Sequence, residues 1–210
     1  MTPPALKTPS DVPRGPDPRQ DRSARTRELV MRAAAEVFAE HGYRESSVKD
    51  VAERTGMTKG AVYHHFPTKE VLALALVEEH YARWPHVLDE VAAMGLSPLA
   101  TALEVMDRVA AAFGDDPITI AGARLQNEQA SIGVELPTPY VGWIGVMTKL
   151  FQEAEAAGEL REGMVPEQLA RLIVASFFGT QHVSATLTGR ADLAERWQEL
   201  RELFLYAIRR

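Results

Sequence analysis

Prolines and glycines divide most of this chain into helical segments, and this division limits the possible folds more than any other feature. Apolar residues recur at helical spacing from about Ser23 to His41, and Gly42 follows as a helix stop. Later segments begin near a proline, where a missing amide hydrogen costs least; these prolines are Pro98, Pro117 and Pro166. Five further helices are predicted at about 98–113, 117–131, 138–157, 166–187 and 191–209. Because no strand-like alternation appears, the sequence predicts an all-α fold of about nine helices.

Composition divides the chain into an arm, a head and a body. Six prolines lie within residues 1–18, which predicts a flexible proline-rich arm over residues 1–20. Three helices are predicted in residues 21–67. A long fourth helix from about Thr68 to Met94 then begins a helical domain that covers residues 68–210.

Charge is distributed unevenly between these parts. The chain has a net charge of -6, but residues 19–69 hold ten basic and seven acidic side chains. A basic head on an acidic body suits a protein that contacts DNA at one end. The chain has no cysteine, no apolar run of signal-peptide type and no apolar stretch of about 18 residues. We therefore expect a cytoplasmic protein, without metal or cofactor.

Two short helices in the head have the spacing of a helix-turn-helix. Ala52 is followed by Gly56 and then by Val62, which supplies a small residue, a turn residue and an aliphatic wedge. Ser47 and Thr58 are plausible N-caps of the two helices. An ordinary pair of antiparallel helices is the alternative interpretation of the same pattern.

The second of these helices carries long polar side chains that suit a major groove. Phosphate contacts would position it and base contacts would give sequence specificity. The candidate DNA-binding residues are Ser47, Lys49, Thr58, Lys59, Gly60, Tyr63, His64, His65 and Lys69.

The head resembles the DNA-binding region of the tetracycline-repressor family. The matching segments are His41-Gly42-Tyr43, Ser46-Ser47-Val48 and the block from Lys59 to Glu70. The resemblance implies a homodimer that binds a pseudo-palindromic operator and releases it when a ligand binds. One position departs from close relatives, which commonly have an aromatic residue where this chain has His64, so we expect a different operator preference or affinity.

A finer resemblance extends over most of the chain. It is similar to the autoregulator receptors of actinomycetes, and above all to the methylenomycin-furan receptors, in the segments VEEHYARWP, AGARLQNEQ, LPTPYVGW, FFGTQHVS and RWQELREL. The resemblance implies that the protein controls antibiotic-type biosynthetic genes. The implied ligand is a γ-butyrolactone, a butenolide or an alkyl-furan carboxylic acid.

Polar and aromatic residues of the body supply candidates for the ligand site. The resemblance implies that Trp143 packs on the ligand ring and that Tyr81, Gln126 and Tyr140 make polar contacts. Thr180 is a further candidate, and Arg124, Asn127 and Gln181 lie on the same helices. Each aromatic residue could instead belong to the core.

The last two helices carry apolar stripes that could form a four-helix dimer interface. The stripes are Leu169, Leu172, Ile173, Ser176 and Phe177, then Leu193, Trp197, Leu200, Phe204 and Ala207. Packing within one chain is the alternative interpretation of these stripes.

Three other functions remain open at the level of sequence. A related repressor could be gated by an antibiotic or a lipophilic drug, and a DNA-binding protein could act without any ligand. An enzyme is the third alternative, but no nucleophile motif, phosphate loop or metal-ligand spacing appears. We therefore expect no catalytic activity.

Overall fold

The computed structural model describes residues 18–210, with side chains from residue 21 onward. This range contains eleven helices, and its extended pairing is an isolated bridge between Leu160 and Arg209. The all-α prediction is confirmed, with two helices more than expected. The helices are α1 (Pro18–Glu45), α2 (Val48–Thr55), α3 (Lys59–His65), α4 (Lys69–Ala82), α5 (Trp84–Ala93), α6 (Pro98–Asp115), α7 (Pro117–Asn127), α8 (Gln129–Ile132), α9 (Val141–Ala156), α10 (Pro166–Thr188) and α11 (Leu193–Ile208).

Helix α1 is longer than predicted at both ends. It begins at Pro18, so residues 18–20 of the predicted arm are helical, while residues 1–17 lie outside the described residues. Gly42 interrupts α1 with φ 76° and ψ −178°, a conformation that is almost restricted to glycine. The predicted stop is therefore a kink, and helical geometry resumes as far as Glu45.

The predicted fourth helix is in fact two helices. α4 ends at Ala82 and α5 begins at Trp84. Pro85 lies in the first turn of α5, and because proline has no amide hydrogen it cannot continue the hydrogen bonds of α4. An ion pair of 2.6 Å from Arg83 Nη1 to Asp116 Oδ2 ties this joint to the start of α7.

The segment between α7 and α9 is less helical than the sequence predicts. α7 ends at Asn127, and α8 is a single turn. Tyr140 precedes α9 with φ 70°, in the left-handed region. The predicted helix over 138–157 therefore begins three residues late, because the chain must leave helical geometry at Tyr140.

Two apolar cores organise the molecule. The first joins α1–α3, which we call the head, to α4 and to Ile118, Ala121 and Leu125 of α7. The second lies in the body and includes Trp143 and Trp197. Tyr81 packs against both cores. α4 and α7 therefore connect the head to the body, and the domain boundary at residue 67 stays a prediction.

Candidate functional site

The helix-turn-helix forms through local caps. Ser47 begins α2: its hydroxyl accepts a hydrogen bond from Asp50 N–H (3.3 Å), and Asp50 Oδ2 accepts one from Ser47 N–H (2.7 Å). Gly56 ends α2 in the left-handed conformation with φ 69°. Thr58 begins α3 by accepting a hydrogen bond from Ala61 N–H (3.2 Å). The predicted caps at Ser47 and Thr58 are confirmed.

Helix α3 buries one side in the head and exposes the other. Val62 is completely buried, whereas Tyr63 is 45% exposed. A helix held in this way can present its open side to a major groove. The candidate DNA contacts that lie open to solvent here are Thr58, Lys59, Gly60, Tyr63 and His64.

His65 differs from its neighbour His64 in being half-buried. The two imidazole rings meet edge to face, with centroids 5.3 Å apart. Burial lowers the pKa of His65, and the nearby charges of His64 and Arg27 lower it further. Both effects favour the neutral imidazole, which can donate or accept a hydrogen bond.

The two lysines predicted outside α3 have different surroundings. Lys49 is exposed and pairs with Glu53 (2.9 Å). Lys69 is half-buried, donates hydrogen bonds to the carbonyls of Tyr43 and Ser46, and lies 4.2 Å from the centre of the Tyr43 ring. Burial lowers the pKa of Lys69. Lys69 thus holds the turn that precedes α2, and its contact with phosphate stays a prediction.

Arg124 of α7 and Glu128, which caps the C-terminal end of α7, both bind the end of α1, and we call these two residues the head clamp. Glu128 Oε2 accepts a hydrogen bond from Tyr43 N–H (2.6 Å), and Arg124 Nη1 donates one to Ala39 O (2.8 Å). The clamp residues pair with each other at 3.0 Å. They crowd Gly42 so closely that a Cβ there would lie 2.5 Å from Glu128 Oε1.

Sequence reasoning grouped Arg124 with the ligand candidates, whereas the structure places it against the head. The one sequence feature that could have marked this contact is the oppositely charged pair Arg124 and Glu128 at i,i+4. Such pairs are common on exposed helix surfaces and do not indicate a partner. The partner segment precedes Glu128 by 85 residues, so no local pattern marks the contact.

Two of the five predicted ligand residues meet directly. Gln126 Nε2 donates hydrogen bonds to Tyr81 Oη (2.5 Å) and to Pro137 O (3.0 Å). Gln126 is 7% exposed, so this amide lies in the interior. Tyr140 is close in the chain to this set, and its hydroxyl donates to Asn127 Oδ1 (3.1 Å), next to Gln126 on α7.

Trp143 belongs to a buried aromatic cluster that continues to Tyr81. Its ring meets Trp84 edge to face with centroids 4.9 Å apart, and Trp84 meets His80 in the same way at 5.6 Å. His80 in turn lies 5.3 Å from Tyr81. Trp143 and Tyr81 are therefore linked through two residues that the sequence did not single out.

Two polar atoms in this cluster lack a hydrogen-bond partner: His80 Nδ1 and Trp84 Nε1. Buried polar atoms are nearly always paired, so such a pair of atoms is unusual. Burial also lowers the pKa of His80 to about 4, which keeps its imidazole neutral at pH 7. No local pattern marks these residues as partners, because their meeting depends on how α4, α5 and α9 pack.

Tyr140 lines a groove on the surface of the body. The groove has a volume of about 480 Å³, and its apolar floor includes Ile144, Val174 and Phe178. The Tyr140 ring lies 4.6 Å from that of Phe178. Trp143 does not line this groove, but Ile144 and Phe178 of its floor pack against the core to which Trp143 belongs.

Thr180 does not join the other four candidates. It lines a different groove, between α10 and α11, beside Leu200 and Leu203. Successive helical residues point about 100° apart, so Gly179 and Gln181 reach the Tyr140 groove while Thr180 points elsewhere. A ligand contact from Thr180 at this site finds no support in its position.

The apolar stripes predicted for the dimer interface are largely internal. The members that are buried within the chain are Leu169, Ile173, Phe177, Leu193, Trp197 and Phe204. Leu172, also a member of the predicted stripe, is exposed, and the other exposed apolar residues on the outer sides of α10 and α11 are Val183, Leu187, Leu203 and Tyr206. Both helices have two apolar sides, and the periodicity identified the one that faces the core.

Metal and membrane sites are not found in the described part of the chain. Among residues 21–210, no three His, Asp or Glu side chains are grouped so that they could hold a metal ion. No helix within residues 18–210 has the length and apolar character needed to cross a bilayer.

Comparison with known proteins relates both halves of the chain to regulators. Residues 30–76 match the family model for bacterial regulatory proteins of the tetR family, and residues 96–209 match that for a tetracyclin repressor-like C-terminal domain. The A-factor receptor protein of Streptomyces griseus is 33% identical over 186 residues, which are 87% of this chain and 64% of the receptor. The chain therefore spans less than two thirds of that relative.

Two solved structures resemble the chain along most of their length. One, solved to explain the control of antibiotic production by bacterial hormones, is 57% identical with a TM-score of 0.82, over 89% of this chain and 98% of the other. CprB from Streptomyces coelicolor, in complex with its operator sequence, is 25% identical with a TM-score of 0.80, over 90% of each chain.

Proposed function

This chain belongs to the tetR family of bacterial regulatory proteins, and from that premise we propose that it is a ligand-responsive transcriptional repressor of secondary-metabolite genes. It binds a pseudo-palindromic operator as a homodimer and leaves it when a small autoregulator binds the body. The autoregulator is an alkyl-furan carboxylic acid, a butenolide or a γ-butyrolactone. The 57% identity to a protein of hormone-controlled antibiotic production is the observation that carries this proposal.

The open side of α3 is the DNA-reading surface. Lys59 contacts phosphate, while Tyr63 and His64 reach base edges in the major groove. Val62 and the caps of α2 and α3 hold this surface rigidly, which keeps the entropic cost of binding low. CprB, whose structure contains its operator, supports this assignment through its similar fold.

Two copies of the chain associate through the outer sides of α10 and α11. The exposed leucines there, among them Leu187 at 68% and Leu203 at 69% exposure, would leave water on dimerisation. Two such helices from each copy make a four-helix interface. Two-fold symmetry then places the recognition helices about 34–36 Å apart, in successive major grooves.

The ligand binds in the aromatic cluster of Trp143, with its alkyl chain towards the Tyr140 groove. Trp143 packs against the ligand ring, and Gln126 and Tyr81 hydrogen-bond its carboxylate or carbonyl. Trp84 Nε1, a buried donor without a partner, supplies a further contact. These groups are uncharged, which limits the desolvation cost of opening the site.

The route from ligand to DNA runs through α7. Gln126 lies in the proposed ligand site, and the head clamp, Arg124 and the C-cap residue Glu128, lies at the end of the same helix against α1. A ligand that moves α7 therefore moves the end of α1 and the spacing of the two heads. It releases DNA only if it binds better to the DNA-incompetent state, and a 100-fold loss of affinity requires about 2.7 kcal/mol of such coupling.

A gel-shift titration of Trp143→Ala tests the proposal. With DNA from the chain's own upstream region, the variant should bind the operator as the parent does but resist release by furan, butenolide or butyrolactone ligands. Trp143→Phe, which keeps an aromatic surface, should retain most of the response. Release of Trp143→Ala at the parental ligand dose would refute the assignment of the site.

The Tyr140 groove also fits a second candidate ligand class. Its apolar floor is open to solvent and could take an antibiotic or a lipophilic drug. The same titration with lipophilic antibiotics in parallel separates the two classes, because release by those compounds alone would favour the second. In either case we propose a regulator without catalytic activity that acts in the cytoplasm, where its operator lies.

A further inference from the structure

A second pocket lies where the head meets the body, and we call it the junction pocket. It has a volume of about 510 Å³, and its walls come from the end of α1, from α7 and from α10 with the residues that follow it. Its polar lining includes Glu40, Arg124, Asn127, Gln181 and Arg190. It shares Asn127 and Gln181 with the Tyr140 groove, but Trp143 and Gln126 do not line it, and Glu40, Arg124 and Arg190 line the junction pocket and not the groove.

Arg190, in this pocket, combines an unfavourable backbone conformation with an uncompensated charge. Its backbone adopts φ 75°, in the left-handed region that residues other than glycine seldom occupy. Its guanidinium is half-buried, and its Nε has no hydrogen-bond partner. Burial lowers the pKa of Arg190, and the neighbouring charge of Arg124 lowers it further. No salt bridge among residues 21–210 compensates the charge of Arg190.

Gln181 adds a second unpaired polar atom to the same pocket. The residue is 7% exposed, and its Oε1 has no hydrogen-bond partner. An acceptor and a cationic donor are thus both buried and unpaired in one cavity. Such groups cost free energy unless a bound molecule pairs with them.

The charges around Arg190 restrict what that molecule can be. Glu40 and Glu128 also line the pocket, although Arg54 and Arg124 already pair with them. A dianion such as phosphate would be repelled by these carboxylates more strongly than a monoanion. A single carboxylate satisfies Arg190 Nε, and a hydroxyl group beside it can donate to Gln181 Oε1.

We propose that the junction pocket binds a small hydroxycarboxylic acid through Arg190 and Gln181, as a second ligand site of this protein. Because Ala39 and Glu40 form one wall and α10 forms another, an occupant contacts both head and body. This site therefore gives the head a second input that does not pass through Trp143. The inference does not require the autoregulator or the operator to be those proposed above.

Titration of the full-length protein with 3-hydroxybutyrate, followed by amide chemical shifts, tests the site. Shifts should concentrate at Glu40, Arg124 and Arg190, which line this pocket and not the Tyr140 groove, and butyrate, which lacks the hydroxyl, should bind more weakly. Arg190→Gln should weaken binding about tenfold or more, the usual consequence of losing a hydrogen bond to a charged group. Gln181→Leu should abolish the preference for 3-hydroxybutyrate over butyrate.

Arg171→Gln is the matched control, since Arg171 lies on α10 but lines the Tyr140 groove instead. It removes the same charge and should leave the affinity unchanged. Binding that survives Arg190→Gln, or that is lost in Arg171→Gln, would overturn the proposal. So would the absence of any shift in the parent protein, or tighter binding of inorganic phosphate than of 3-hydroxybutyrate.

Discussion

Helix α7 has two faces that differ in chemistry. Arg124 and the C-cap residue Glu128 lie on one face and hold the end of α1 with charged groups. Gly122 and Gln126 lie on another face, where a neutral backbone and an amide pack against His80 and Tyr81 of α4. Residues four apart share a face of a helix, so each pair acts as a unit.

The difference between these faces suits the two proposed roles of α7, which are to hold the head and to respond to the ligand. Charged hydrogen bonds are strong and directional, so the head follows any movement of α7. The neutral face can separate from its neighbours without exposing an unpaired charge to a low-dielectric interior. A ligand can therefore open the neutral face while the charged face stays intact.

Gly42→Ala should lower the stability of the protein most, because it disrupts the contact between α1 and the charged face of α7. The backbone there is nearly restricted to glycine, and the new Cβ would lie 2.5 Å from Glu128 Oε1 and 2.8 Å from Arg124 Nη2. We expect a loss of about 3 kcal/mol in the free energy of unfolding by urea, from backbone strain and displacement of the head clamp.

Gly133→Ala is the control for this change. Gly133 also has a positive φ of 75°, but nothing lies within 4 Å of a Cβ placed there. Its replacement should cost only the left-handed penalty of about 1 kcal/mol. Equal losses in the two variants would show that the clamp contributes nothing at Gly42.

Gly122→Ala makes the corresponding test of the neutral face. A Cβ at this position would lie 2.5 Å from His80 Cβ and 2.7 Å from His80 Cγ, atoms that cannot swing away. We expect a loss of about 2 kcal/mol in stability, because overpacking at this crossing outweighs the better helix propensity of alanine.

Gly145→Ala provides the comparison for that measurement. Gly145 lies within α9, and a Cβ there would meet nothing within 4 Å. It should gain about 0.5–1 kcal/mol from helix propensity alone. If Gly122→Ala also stabilised the protein, α4 and α7 would not be in close contact at this point.

The pH dependence of stability should report on His80. Burial lowers its pKa from 6.5 to about 4, so between these values the unfolded chain binds a proton that the folded protein does not. Stability is therefore complete above pH 6.5 and falls as the pH approaches 4. From about pH 7.5 to about pH 5.5 we expect a loss of about 1.3 kcal/mol through this group.

His80→Gln removes this titration while keeping a polar side chain. The variant should show a smaller loss of urea stability over the same pH interval. An unchanged loss would mean that His80 is not buried in the neutral state. Denaturation followed by tryptophan fluorescence suits the measurement, because Trp84 and Trp143 lie in the same cluster.

The features that could be predicted from the sequence are those that depend on nearby residues or on the family resemblance. The caps at Ser47 and Thr58 and the turn at Gly56 depend on residues within a few positions, and all three are as predicted. The family resemblance supplied Gln126 and Tyr81, which indeed meet. These features require little knowledge of tertiary packing.

Features that depend on distant segments escaped prediction. The contact of Glu128 with Tyr43 and the unpaired Trp84 Nε1 arise only when separate helices pack together. Thr180 lines a different groove from the other candidates, because a one-position offset on α10 turns it to another surface, and its contact with ligand stays a prediction. Periodicity shows that a helix has an apolar side but not which neighbour that side meets, as the inner stripe of α11 illustrates.

The smallest expected effect concerns the exposed charges of the head. Salt screens these charges, whereas it does not reach the buried contacts on the two faces of α7. Lys59→Ala removes one predicted phosphate contact, so the log–log dependence of operator affinity on salt should become shallower by about 0.9. Fluorescence anisotropy over a range of salt concentrations measures this slope. Lys149→Ala, on an exposed surface of α9 in the body, should leave the slope unchanged. If Lys59→Ala also left it unchanged, Lys59 would lie outside the DNA contact, and the arginines of α1 would have to supply the charge instead.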